Sequence, residues 1–279
     1  MTTIHVAHSP DSDDAFMFYA LTNGRLDTDG LEISHLLADI ETLNQAALAG
    51  TYEITAFSFH AYAHLHDRYL LMPSGASFGD GYGPIVVTRE PLGRDDLAGR
   101  TVAIPGVLTT AHLALKLWQP AVRTVVVPFD RILDVVKAGE AEAGVVIHEG
   151  QLFFADLGLE SAVDLGAWWK TETGLPLPLG GNGIRRDLDP ALRARLCRLL
   201  YESIDYALGH RAEALAYARR YAREIEDDPE RSDRFVGMYV NDWTRGYGEV
   251  GRRAVETLLD RGFEAGLLPE RVTAEYAEP

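Results

Sequence analysis

The sequence predicts an α/β protein of two lobes that close on a small anionic ligand, and three features predict it. Strand and helix patterns alternate from Thr3 to Phe57. The same rhythm restarts between Thr101 and Ile147, and a later segment, Leu177 to Gly183, returns the chain toward its first unit. Two units joined by two crossings are the architecture of hinged ligand-binding proteins, which hold their ligand in the cleft between lobes. A chain of 279 residues is long for one core and suits two.

Each element follows from local pattern. Thr3 to Ala7 alternates apolar and polar residues and stops at Ser9-Pro10, a strand running into a loop. Asp11-Ser12-Asp13 precedes the apolar run Ala15 to Leu21, a helix capped by Ser12 or Asp13. Leu31 to Leu37 reads as a strand, and Ile40 to Leu48 has helical spacing closed by Gly50. Glu53 to Phe57 is a third strand that leads into Ser58-Phe59-His60. This order implies a mostly parallel sheet with helices on its faces. Gly75 to Pro84 is glycine-rich and reads as a flexible loop, followed by a strand at Ile85 to Thr88. Glu90-Pro91-Leu92-Gly93 breaks the pattern and reads as a hinge. Beyond it, strands at Thr101–Ile104, Arg123–Val127 and Ala143–Ile147 alternate with helices at Ala111–Leu117 and Arg131–Ala138. The expected division is a large lobe of residues 1–89 plus 176–279 and a small inserted lobe of residues 90–175. After the return the chain is mostly helical. Leu192, Leu196, Leu199, Leu200, Ile204 and Leu208 form one apolar stripe, Pro229 ends a charged helix, and Val250, Ala254, Leu258 and Leu259 mark a last amphipathic one.

Composition narrows the partners. Hydrophobic residues at 47% and charged residues at 24% are globular usage. A formal charge of −16 argues against nucleic acid and anionic membrane, both of which need a basic face. No apolar run is long enough to span a bilayer, and Met1 to Val6 lacks the features of a signal peptide, so the expected location is cytoplasmic. Cys197 is the only cysteine, which excludes an internal disulfide and suits a reducing compartment. An isologous homodimer is the common assembly, though nothing in the sequence marks its interface.

Candidate site residues come from the strand ends, because α/β sheets bind ligands beyond the carboxyl ends of their strands. The polar clusters there are Ser9-Pro10-Asp11-Ser12, Ser58-Phe59-His60, Gly106-Val107-Leu108-Thr109-Thr110 and His148-Glu149-Gly150. Thr109-Thr110 opens a helix after a Pro-Gly turn. It reads either as an anion site built on the helix N-terminus, with hydroxyls adding donors, or as a plain cap. His148 follows an apolar strand and is either a general acid or base near neutral pH or a structural histidine. His60, His64 and His66 have a spacing that a metal could use, yet Asp67 is their only near carboxylate and a solvated helix flank explains them as well, so no metal is expected. Asp11, Asp13 and Asp14 read as helix-terminal acids that complement the dipole. Three acids would repel an anion, which makes Ser9 and Ser12 the better contacts.

Several stretches, in order along nearly the whole chain, resemble the 1,4-dihydroxy-6-naphthoate synthases of the futalosine route to menaquinone. They are Ser9-Pro10 with Asp14 to Phe18, Asp39 to Asn44, Gly75-Ala76, Gly83 to Val87, Val145 to Gly150, Trp168 to Gly180, and Tyr239 to Asp242. The most specific are Ile147-His148-Glu149-Gly150 and the run Thr173 to Gly180. The resemblance implies a type II periplasmic-binding-protein-like fold with its cleft between lobes. It also implies a cofactor-free lyase that converts cyclic dehypoxanthine futalosine to 1,4-dihydroxy-6-naphthoate and a sugar fragment. It carries the role of base to His148, ligand contact to Asn44 and Ser58, and carboxylate binding to Thr109 and Thr110. The family's Ser-Pro-Cys-Pro-Asn-Asp-Thr-Phe pattern reads Ser9-Pro10-Asp11-Ser12-Asp13-Asp14-Ala15-Phe16 here. Two alternatives stand beside this reading: a chorismate dehydratase of the same fold and pathway, against which the Ile-His-Glu-Gly stretch argues, and a solute-binding protein for a small carboxylate.

Overall fold

Exposed and buried side chains alternate at the start of Thr3–His8, and the strand then becomes wholly buried, as a strand flanked on both sides must. The computed structural model describes residues 3–222, 225 and 227–278. Its strands are β1 (Thr3–His8), β2 (Glu32–Leu37), β3 (Ile54–Ser58), β4 (Tyr69–Leu71), β5 (Ser77–Gly79), β6 (Ile85–Thr88), β7 (Thr101–Ile104), β8 (Arg123–Val126), β9 (Ala143–Val146), β10 (Glu160–Asp164) and β11 (Leu177–Arg185). They form two sheets. The first has the order β2-β1-β3-β11-β4, with β5 also on β11, and the second β10-β6-β9-β7-β8.

Each sheet is mixed rather than mostly parallel. The βαβ crossovers make β1–β2, β1–β3, β7–β8 and β7–β9 parallel. The strands that link the lobes run the other way: β11 is antiparallel to β3, β4 and β5, and β6 is antiparallel to β9 and β10. The strand Ile85–Thr88, expected in the first lobe, is therefore part of the second sheet. The glycine-rich stretch expected to be a loop contains β5, because Ser77 to Gly79 finds a partner in β11.

Helix ends follow side-chain chemistry. Asp39 caps the helix Ile40–Leu48 by accepting from the Thr42 amide. Asp164 does the same at Leu165–Thr173, which Gly174 ends in the left-handed conformation. The first helix departs from expectation. Asp11 takes the N-cap position without a side-chain cap bond, the helix spans Ser12–Met17, and Tyr19–Thr22 forms a separate turn after Phe18. Pro229 opens its helix, Pro229–Tyr239, rather than ending one. The missing proline amide costs nothing in a first turn.

The core does not divide as the sheets do. The helices Thr110–Trp118 and Gly248–Glu264 share one apolar cluster with Phe57 and Phe59 of the first lobe and with Val102, Ile104 and Val145 of the second. Phe235 and Tyr239, from the helix Pro229–Tyr239, pack with Val87, Ala103, Ile132 and Val146. C-terminal helices therefore straddle both lobes. Cys197 is buried among apolar side chains, and burial pushes its thiol up to about 12.

Candidate functional site

A cavity of about 140 Å³ opens where the two sheets face each other. Polar residues reach it from strand ends of both lobes: Ser9 after β1, Ser58 at the end of β3, and Thr109 and Thr110 after β7. Met17, Phe57, Ile147, Leu179 and Phe235 give it apolar walls.

Thr109 caps the helix Thr110–Trp118, accepting from the His112 amide at 3.2 Å and donating to the Gly106 carbonyl at 2.9 Å. Thr110 Oγ1 donates to the Leu179 carbonyl at 2.6 Å and accepts from the His60 amide at 3.2 Å. Both hydroxyl hydrogens are thus spent on backbone carbonyls. What the turn offers an anion is the first-turn amides and the dipole behind them. His60 secures this turn by donating from Nδ1 to the Thr109 carbonyl at 3.2 Å, and burial pushes its imidazole down to about 4, so it is neutral. His66 faces Glu270 at 3.7 Å, and no group of three or more potential metal ligands occurs among the described residues.

Ser58 is the free hydroxyl donor. Its amide donates to Asn44 Oδ1 at 2.9 Å, and its Oγ accepts from Asn44 Nδ2 at 3.3 Å, which leaves the hydroxyl hydrogen available to a ligand. Asn44 itself is fully buried and is absent from the cavity lining. It stands behind Ser58.

His148 is also set back from the lining, which takes its neighbour Ile147 instead. The side chain caps the short turn Glu149–Leu152: Nδ1 accepts from the Gly150 amide at 3.0 Å and Nε2 faces the Phe129 carbonyl at 3.1 Å. These partners define a neutral ring protonated on Nε2. The Phe129 ring packs edge-on at 5.4 Å.

The carboxyl groups read from the sequence as helix-terminal acids stand at the cleft. Asp11, Asp13 and Asp14 line the cavity, and Asp14 accepts from the Ser9 amide at 2.7 Å. Ser9 Oγ donates to Asp11. Asp13 is pushed up to about 7 by burial and then by Asp11, and Asp14 is pushed well above the usual carboxylate range by burial and then by Asp13. Across the cleft, Glu149 accepts from Ser12 Oγ at 2.9 Å and is pushed up to about 8 by burial and then by Asp11. The repulsion expected of the aspartates toward an anion is therefore weakened at Asp13 and Asp14, where burial favours the protonated form. Gln151 and Tyr239, missed in the sequence, line the cavity from the two sides and join through a 2.6 Å hydrogen bond.

These protons predict a pH dependence of stability. Glu149 is raised from 4.5 to about 8, so the native state binds a proton that the unfolded chain releases. Stability then falls as pH rises from about 4.5 to about 8, by at most about 5 kcal/mol for this group. The melting midpoint of Glu149→Gln is expected to fall less between pH 5 and pH 8 than that of the unchanged protein. Parallel pH curves for the two would mean that Glu149 is ionised in the folded state.

The family described as menaquinone biosynthesis matches residues 4–264. A 1,4-dihydroxy-6-naphthoate synthase from Thermus thermophilus is 43% identical over 267 residues, covering 96% of each chain. Among solved structures, protein AF1704 from Archaeoglobus fulgidus superposes with a TM-score of 0.91 at 48% identity, covering 95% of this chain and 98% of that one. A Candida albicans gene product described as exhibiting the generic periplasmic binding protein fold superposes with a TM-score of 0.72 at 12% identity, covering 100% and 98%. At that identity the likeness concerns the fold alone, and the fold is that of the periplasmic binding proteins.

Proposed function

The chain belongs to the menaquinone biosynthesis family, and from that premise we propose that it is a lyase that converts cyclic dehypoxanthine futalosine to 1,4-dihydroxy-6-naphthoate. The observation that carries this reading is the end-to-end likeness to the Thermus synthase. The cavity supports it with features a bicyclic carboxylate needs: apolar walls, a helix N-terminus and a hydroxyl donor at Ser58.

In the proposed reaction His148 takes a proton from the bound bicyclic substrate. Carbon–carbon cleavage then expels the sugar portion, and aromatisation drives the step. The turn at Thr109 and Thr110 and the Ser58 hydroxyl hold the carboxylate, while Asn44 orients Ser58 from behind. Ser9 contacts the substrate near its own loop. His148 first exchanges its contacts with Gly150 and Phe129 for the substrate, which its position one residue past the cavity wall requires. The closed lobes exclude water and hold the groups in line. The cytoplasm is the proposed location; Cys197 is a buried free thiol, and no helix among the described residues is long and apolar enough to cross a membrane.

Incubation of the purified protein with cyclic dehypoxanthine futalosine should release a naphthoate chromophore. Turnover of chorismate instead, or binding without product, would displace this reading in favour of a dehydratase or a solute-binding protein. A second expectation concerns Ser58→Ala. A hydrogen bond to a charged group contributes about 1.5–3 kcal/mol, so KM should rise about tenfold or more with little change in kcat. An unchanged KM would place the carboxylate elsewhere.

A further inference from the structure

Glu41 sits on the helix Ile40–Leu48 of the first lobe, and its carboxylate crosses to the second. Oε2 accepts from the Leu108 amide at 3.2 Å, one residue before Thr109. The same oxygen accepts from Asn44 Nδ2 at 3.4 Å, and Asn44 in turn holds both the amide and the hydroxyl of Ser58. Oε1 is fixed by Gln45 at 3.0 Å, one helical turn on. The approach is close enough to need a glycine: a Cβ at Gly106 would lie 2.3 Å from Glu41 Oε2 and 2.6 Å from Glu41 Cβ.

The geometry points to Glu41 as a positioning residue that joins the two halves of the anion site. It fixes the loop that presents the Thr109–Thr110 turn from one lobe. Through Asn44 it fixes the Ser58 donor from the other. A ligand carboxylate needs both halves at one spacing, and a group bonded to both sets that spacing before the ligand arrives, which saves the cost of ordering the loop on binding. The role in substrate affinity rests on the function proposed above; the latch between lobes does not.

The test therefore has two arms. Amide exchange at Leu108, read by NMR in the substrate-free protein, should speed up at least tenfold in Glu41→Ala while Val145 in β9 exchanges as before. Glu41→Gln, which keeps an acceptor oxygen, should restore most of the protection. In the kinetic arm, Glu41→Ala should raise KM about tenfold with kcat within about threefold, and Gly106→Ala should do the same. Because the two changes break one contact, the double variant should be no worse than Gly106→Ala alone. Unchanged exchange at Leu108 overturns the latch, as does a common acceleration at Leu108 and Val145. Faster exchange at Leu108 with wild-type KM overturns the positioning role. The exchange arm uses no substrate, so a protein without naphthoate activity would still report on the latch.

Discussion

Replacing His148 with asparagine is expected to lower turnover of the bicyclic substrate by about 10²- to 10⁴-fold, the range a positioned base contributes, and to leave its binding nearly unchanged. The substitution suits the site. His148 caps a short turn by accepting from the Gly150 amide, and asparagine is among the best residues for that duty, so the local fold is kept. What is lost is an imidazole able to exchange its hydrogen-bond partners for a substrate proton. Stopped turnover with retained affinity, measured by single-turnover kinetics and by calorimetry, separates loss of a base from loss of a binding contact. Wild-type turnover in this variant would remove His148 from the chemistry and leave Asp13, which lines the cavity and is pushed up to about 7, as the proton acceptor to test.

The second large effect concerns stability. An alanine at Gly166 would place its Cβ 1.8 Å from the Tyr82 carbonyl oxygen and 2.6 Å from the Gly83 nitrogen. Both are backbone atoms, so no side-chain rotation relieves the clash. Gly79 also presses on this carbonyl, where a Cβ would lie 2.0 Å away. Tyr82 and Gly83 lie just before β6, where the chain passes from the first sheet into the second. The helix Leu165–Thr173 must therefore lift off the crossing or the crossing must move. Gly166→Ala is expected to cost about 3 kcal/mol or more, at the upper end of overpacking effects, read as a lower denaturation midpoint. A loss under about 1 kcal/mol would show that the crossing yields easily.

Much of this was legible in the sequence because it depends on local pattern. The βαβ rhythm, the return strand at Leu177 and the polar residues at strand ends all follow from periodicity and turn chemistry. Less legible was whatever depends on partners distant along the chain. The mixed sheets arise because β6 and β11 pair antiparallel with strands far from them, and hydropathy does not encode direction. The straddling helices share apolar spacing with any surface helix, so their second contact was invisible. At the site, Thr109, Thr110 and Ser58 reach the cavity from positions the strand ends announced. Asn44 and His148 lie in motifs as easily read, yet each is set back from the lining by bonds to Ser58 and to Gly150 and Phe129. Side-chain direction was the missing quantity. Asp14, Gln151 and Tyr239 had a signal that went unused, since each stands inside or beside a stretch singled out for its resemblance.

The place of β11 has a consequence for synthesis. It lies between β3 and β4, so both strands leave the ribosome long before the neighbour that completes their sheet. The inserted lobe has all its strands once Asp164 has emerged. The lobe begun first is thus finished last, and β3, β4 and β5 each wait with an edge open until Leu177 to Arg185 is made. Open edges are templates for pairing with other chains, and nascent domains pass through such states in vectorial order. The interval before Leu177 appears is when a chaperone that covers β-edges has most to offer this chain.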